Sequence, residues 1–424
     1  MSTHDDQGPT RQQIYLSSNS GFSKLPAIFG VLGIAGLAGA AVTMGDHEQN
    51  VSFYHAYLTA LMYWLALGLG GLFFVLIQHA TRAGWSIVVR RLAEHAMLTL
   101  VPLSLLAIPV AFFGVHDLYH WSHTDTLDIV LQAKAAYLNE GFFQTRAIVF
   151  MAVWIGAALL FWRWSTSQDK AADPVAITHK MRLASPFGIM FFALSLTFAV
   201  FDWVMSLDPH WFSTIFGVYY FAGCVSMIHA FLALVVIALH RAGHLKGIVT
   251  QEHFHDLGKM MFAFTVFWTY IGFSQYMLIW YASIPEETDW FAYRGVGAML
   301  SLSIILVVVK FVVPFIGLMS RKIKRNYTRL GIGAVWLMCA HMVDMVWLVH
   351  PPMAEARHNA NPFHPELNPT GVHEGILQFG FVDVATFVGI GGIVLATFFW
   401  ALSRHALVPV KDPRLAESIN HENF

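Results

Sequence analysis

Six ionisable residues lie inside stretches that are otherwise apolar: Asp202, His229, Lys310, His341, Asp344 and Asp383. A charge at the centre of a bilayer costs about 2.5 to 3.5 kcal/mol on insertion scales, so each side chain is expected to face protein or water rather than lipid. Such residues are candidates for function, and together they form a candidate proton path. The segment CAHMVDMVWLVH sets His341 and Asp344 three residues apart, on one face of a helix. An imidazole beside a carboxylate can pass a proton near neutral pH. The same pair can also act simply as polar glue between helices. Lys310, in SIILVVVKFVVPF, is followed four residues later by Pro314, which should kink the helix. Its ammonium has two readings: snorkelling to the terminal-side surface, or pairing with a carboxylate inside the protein.

Asp202 stands in FDWVMSLDPHWFSTIFGVYYFAG, shortly before Asp208-Pro209. Proline cannot continue a helix and its predecessor avoids helical geometry, so the chain should break there. Asp208 is then expected to cap the sixth helix, with Trp211 anchored among the headgroups. Asp202, between Phe201 and Trp203, should be buried. Its expected partners are the ionisable groups of the sixth, eighth, ninth and tenth helices, so that Asp202, His341, Asp344 and Asp383 make the outer part of a polar track. His229 and Lys310 would extend that track inward.

Other constellations carry less. Tyr270, Gln275 and Tyr276 put hydrogen-bonding groups into the aromatic run MMFAFTVFWTYIGFSQYMLIWYASIPEET, surroundings that suit a quinone headgroup, although helix packing with interfacial aromatics explains the same run. His116, His120 and His123 have helical spacing but sit beside Asp117 and Trp121 in a connecting loop, and read as a surface cluster rather than a metal site. Haem b needs two histidines on facing helices, for which only His229 with His341 offers itself. The two cysteines, Cys224 and Cys339, are too few for an iron-sulfur cluster or a thiolate zinc site. The glycines of GLGGL and GIGG fall inside spans, where they pack helices rather than bind a dinucleotide. No catalytic residue, no metal site and no cofactor is therefore assigned to this chain alone.

The elements that must hold these residues follow from composition. Of 424 residues, 56% are hydrophobic and 12% charged, about half the charge of a soluble domain, which indicates an all-α polytopic membrane protein. A formal net charge of −1 gives no field for nucleic acid. Ten apolar stretches reach the roughly 20 residues needed to cross the bilayer. They lie near 25 to 45, 53 to 79, 95 to 115, 142 to 164, 186 to 206, 212 to 240, 258 to 282, 293 to 319, 329 to 350 and 376 to 402. An even number puts both termini on one side. The connections on that side hold about 20 of the 25 Lys and Arg, which assigns both termini to the cytoplasm. Residues 1–24 and 403–424 read as cytoplasmic tails around a membrane domain of 25–402. Two longer outer loops lie near 116–141 and 351–375. The first contains Leu127, Val130, Leu131, Lys134 and Leu138 at the spacing of a surface amphipathic helix.

The stretches FDWVMSLDPHWFSTIFGVYYFAG and FWTYIGFSQYMLIWYASIPEET resemble signature segments of the ActF family, integral membrane components of bacterial alternative complex III, a quinol oxidoreductase of the cytoplasmic (inner) membrane. That family is similar to the polysulfide-reductase-type, NrfD-like membrane subunits. The resemblance spans nearly the whole chain. It implies two four-helix bundles, helices two to five and six to nine, flanked by the first and tenth. It also implies partners: a homologous NrfD-like membrane subunit where quinol is oxidised, an iron-sulfur protein, and multihaem cytochrome c subunits that carry the haem. In such a complex this chain would provide a proton-conducting path, a second quinone-binding site, or a purely structural element. A stand-alone secondary transporter is a further class, but neither the broken helices nor the repeat of such a protein is evident.

Overall fold

A computed structural model describes residues 10–17, 20–123, 129–350 and 379–423. Ten helices are long and apolar enough to cross a membrane: α1 (Leu25–Ala41), α2 (His47–Ala80), α3 (Ile87–Phe113), α4 (Glu140–Gln168), α5 (Pro174–Trp203), α6 (Phe216–Arg241), α7 (Gln251–Ala282), α8 (Gly297–Met319), α9 (Tyr327–Val349) and α10 (Phe381–Arg404). No strand occurs among the described residues. The chain is an all-α polytopic protein.

Local signals set the helix starts. The side chains of Asp46, Asn139, Asp173 and Asn326 accept from the backbone N–H groups of Gln49, Phe142, Ala176 and Arg329, each such cap contributing on the order of 1 kcal/mol. Prolines break the regular pattern inside the spans. In α8, Pro314 has no N–H to give the carbonyl of Lys310 and its ring crowds that carbonyl. The helix answers with a π turn over Val308–Val312, and Trp336 of α9 donates its indole N–H to the Val309 carbonyl at 2.7 Å. The expected kink is therefore a one-turn widening that contains Lys310.

Helices α2–α5 pack as one bundle and α6–α9 as another, joined along α2 and α6. The first and tenth helices pair with each other, and the pair lies beside the bundles, against α2. Only hydrogen fits at their crossing, since a methyl group on Gly36 would stand 2.6 Å from the backbone nitrogen of Gly389, the close approach that small residues allow between membrane helices. Trp64 of α2 fastens the pair by donating to the Phe387 carbonyl at 3.1 Å.

The described segments 10–17 and 405–423 meet on one face, where Leu407 N–H donates to Ile14 O at 2.8 Å. The last segment is not a free tail. Residues 405–423 fold back under the bundles, with Leu407, Val408 and Leu415 buried. Asp412 pairs with Arg90 at 2.5 Å and His421 with Asp256 at 2.8 Å, so this strap ties α3 to α7. On the opposite face, the expected amphipathic helix forms over Ile129–Lys134 with Leu131 buried, and Lys134 donates to Pro209 O at 2.6 Å. Leu127 and the loop 351–375 lie outside the described residues.

Candidate functional site

Every helix of the second bundle contributes to a common buried point, α9 twice. Lys310 leaves the π turn of α8 and is 3% exposed, which excludes the snorkelling alternative. Its ammonium forms an ion pair with Asp344 Oδ2 and lies 3.1 Å from His341 Nδ1, both on α9. Tyr219 of α6 donates its hydroxyl to Asp344 Oδ1 at 2.5 Å. Trp268 of α7 presents its ring 4.6 Å from the ammonium, a cation–π contact that favours the charged lysine. A methyl on Gly223 of α6 would stand 2.8 Å from His341 Cε1, so the missing side chain is what lets the imidazole reach the cluster.

An ammonium has only donors, so in the neutral imidazole Nδ1 is the acceptor towards Lys310 and the hydrogen sits on Nε2. That Nε2 is buried and has no hydrogen-bond partner in the protein. His341 therefore offers one nitrogen to the Lys310–Asp344 pair and points a free donor away from it, the two-sided geometry a proton relay needs. About 9 Å along α6 from Gly223, where His341 packs, by the rise of six residues, His229 binds Val225 O through Nδ1 at 2.7 Å and lies between Phe74 and Phe264. Its Nε2 is likewise buried and unpartnered.

Asp202 is buried as expected, but its partner is different. Arg146 of α4 grips it through Nε at 2.7 Å and Nη2 at 3.0 Å, and the Tyr137 hydroxyl donates to it at 2.9 Å. The Arg146 guanidinium lies 3.8 Å from the Tyr137 ring and 4.3 Å from that of Phe142. Asp202 thus belongs to the first bundle and does not join His341, Asp344 or Asp383. Arg146 falls inside the fourth apolar stretch, near 142 to 164, and the Asn139 cap sets it two turns into α4. Asp383 also stands apart: α10 begins at Phe381, so Asp383 is in its first turn, accepting from Gly380 N–H at 2.9 Å and facing His350 Nε2 at 3.5 Å.

Two further expectations are corrected. Asp208 does not cap α6, which starts only at Phe216. The residues between form an irregular turn. Trp211 is 3% exposed and stacks on Trp290 with ring centroids 4.3 Å apart, inside the protein rather than among headgroups.

Sequence reasoning missed one ionic cluster entirely. The third span begins at Ile87, not near 95, so Arg90, Arg91 and Glu94 lie inside α3, at most 3% exposed. Arg91 reaches Glu94 at 2.9 Å and Asp169 at the end of α4 at 2.8 Å, and Ser165 donates to Glu94. These groups screen one another, which is how a charged turn can start a membrane helix. His95, one residue on, is fully buried with both ring nitrogens unpartnered.

Of the aromatic group, Gln275 turns inward, 6% exposed, whereas Tyr270 and Tyr276 are 63% and 42% exposed on the outward-facing side of α7. The three do not share a face. His116, His120 and His123 gather on one turn with ring separations of 5.8 Å and 6.5 Å, and His116 faces Glu140 at 3.6 Å. Cys224 is buried beside this bundle's core and Cys339 is exposed on α9.

No family model matches the chain, and no curated protein matches it.

Proposed function

We propose that this integral membrane protein conducts protons through its second helical bundle as part of a quinol oxidoreductase. The observation that carries the proton reading is the buried Tyr219–Asp344–Lys310–His341 cluster, built from three helices of one bundle around a π turn. A purely structural ion pair needs one cation and one anion. Here an imidazole shares the cation and keeps a free, buried N–H. A proton delivered to the Lys310–Asp344 pair can pass to His341 Nδ1 while the Nε2 proton leaves on the other side. His229, also with a free nitrogen, is a further station on the same bundle, whereas Asp202 and Arg146 lock the first bundle together.

Membership of the oxidoreductase rests on the resemblance of the two Trp-rich stretches to the ActF family of alternative complex III. In that setting quinol oxidation occurs in a homologous membrane protein, with an iron-sulfur protein and multihaem cytochromes c as further partners and the termini in the cytoplasm. This chain supplies the proton route and no redox centre of its own. The test uses the intact membrane complex in proteoliposomes with an entrapped pH-sensitive dye. Asp344→Asn keeps the side-chain shape and removes the acid, so proton movement per quinol oxidised should fall while assembly persists. Unchanged proton movement in an assembled Asp344→Asn complex would leave helix glue as the role of the cluster.

A further inference from the structure

The face where segments 10–17 and 405–423 meet holds a cleft unrelated to the buried cluster. It is lined by Gln78, His79 and Arg82 at the end of α2, by Arg90 near the start of α3, by Thr178 and Arg182 on α5, and by Asp412 and Arg414 of the strap. Four arginines therefore converge from four segments. Two have acidic partners: Arg90 pairs with Asp412, and Arg414 with Glu417 at 2.5 Å. The guanidinium groups of Arg82 and Arg182 form no ion pair within 4 Å among the described residues, although Asp412 and Glu417 lie near enough to act on Arg182. Arg82 adopts a left-handed backbone, φ +53°, and its carbonyl is held by Arg414, so the turn that presents it is fixed by the strap. His79 lines the same cleft, is 2% exposed, and its Nε2 has no partner in the protein.

We propose that this cleft binds the phosphate group of an anionic phospholipid. Guanidinium forks match phosphate oxygens with paired hydrogen bonds. The surroundings fit a lipid better than a free ion. Pro186 and Ile189, four and seven residues after Arg182 and so on its own face of α5, are exposed and partly exposed and lie about 6 and 10 Å from it by the helical rise. An acyl chain descending from a phosphate at Arg182 runs along them. Because Asp412 and Arg414 belong to the strap, the bound phosphate bridges α2 and α5 to the end of the chain.

Native mass spectrometry of the full chain, released from nanodiscs into neutral detergent, reads the bound lipid directly. Phosphatidylglycerol should be retained in preference to phosphatidylcholine. Arg82→Gln and Arg182→Gln should each weaken it about tenfold, the loss of one charge-assisted hydrogen-bonding group. Lys322→Gln removes an exposed cation on the same face outside the cleft and should leave retention unchanged. Competition of phosphatidylglycerol with inorganic phosphate on the unmodified chain separates the sources. Retention of the lipid against millimolar phosphate supports the proposal. Displacement of the lipid by phosphate that itself stays bound, equal retention of the two lipids, or equal losses in all three variants overturns it.

Discussion

Replacing Arg146 by Met tests how the first bundle is held together. Asp202 has no exposure and takes two hydrogen bonds from Arg146 and one from Tyr137. Removing the guanidinium leaves Oδ2 without a donor and the carboxylate without a countercharge. Breaking a buried pair from one side costs about 3 to 5 kcal/mol, whereas replacing both partners by apolar groups of similar volume is often neutral. Loss of the contacts with the Tyr137 and Phe142 rings adds about 0.5 to 2 kcal/mol to the single variant. The Arg146 bond to Tyr137 O at 2.9 Å also goes, releasing the segment that leads into α4. Arg146→Met should therefore unfold at a much lower denaturant concentration than the unmodified chain, and adding Asp202→Leu should restore most of the loss. Reversible unfolding in mixed micelles, followed by circular dichroism, gives the four corners of the double-mutant cycle. A coupling energy of about 2 kcal/mol or more is expected, within the range measured for residues in contact. A double variant no more stable than Arg146→Met alone would refute a mutual lock and leave Asp202 free for another role.

Three further outcomes follow from the geometry. Gly223→Ala places a methyl 2.8 Å from His341 Cε1; overpacking of this kind costs about 1 to 3 kcal/mol, and displacement of the imidazole should lower proton movement more than it lowers the unfolding midpoint. Glu94→Leu removes the buried carboxylate that both Arg90 and Arg91 reach and should cost about 3 to 5 kcal/mol, read as lost expression or a depressed midpoint, whereas a loss below about 1 kcal/mol would mean that Asp169 and Asp412 suffice. Burial lowers His350, just past the end of α9, from the usual 6.5 to about 4. Between those values the unfolded chain takes the proton and the folded chain does not, so stability should fall as pH drops through this window, and His350→Gln should flatten that slope.

The ten spans were legible because length and hydropathy are properties of single segments. Where the reading failed, the cause was a charge whose partner lies elsewhere in sequence. Arg90, Arg91 and Glu94 looked like a loop; their i, i+3 and i, i+4 spacing was the available signal that they belong to a helix and pair along it. Arg146 lies inside the fourth stretch, but the carboxylate it grips, Asp202, is 56 residues away in sequence, and no local pattern points to it. The depth of Lys310, His341 and Asp344 was legible, and so was the disturbance at Pro314. Their meeting was not, because it depends on the absence of a side chain at Gly223 and on Tyr219 of another helix. The separation of Asp202 from that cluster is likewise a consequence of bundle membership, which no local pattern encodes.

Infrared difference spectroscopy of the membrane complex, recorded as quinol is oxidised in H2O and again in D2O, follows the proton on Asp344 itself. If the Lys310–Asp344–His341 cluster relays protons, turnover should produce an isotope-sensitive carboxylic acid band that Asp344→Asn removes and that Asp202→Asn leaves in place. A spectrum identical in the unmodified and Asp344→Asn complexes, at equal turnover, would show that the carboxylate never exchanges its proton and that the cluster only holds the bundle together.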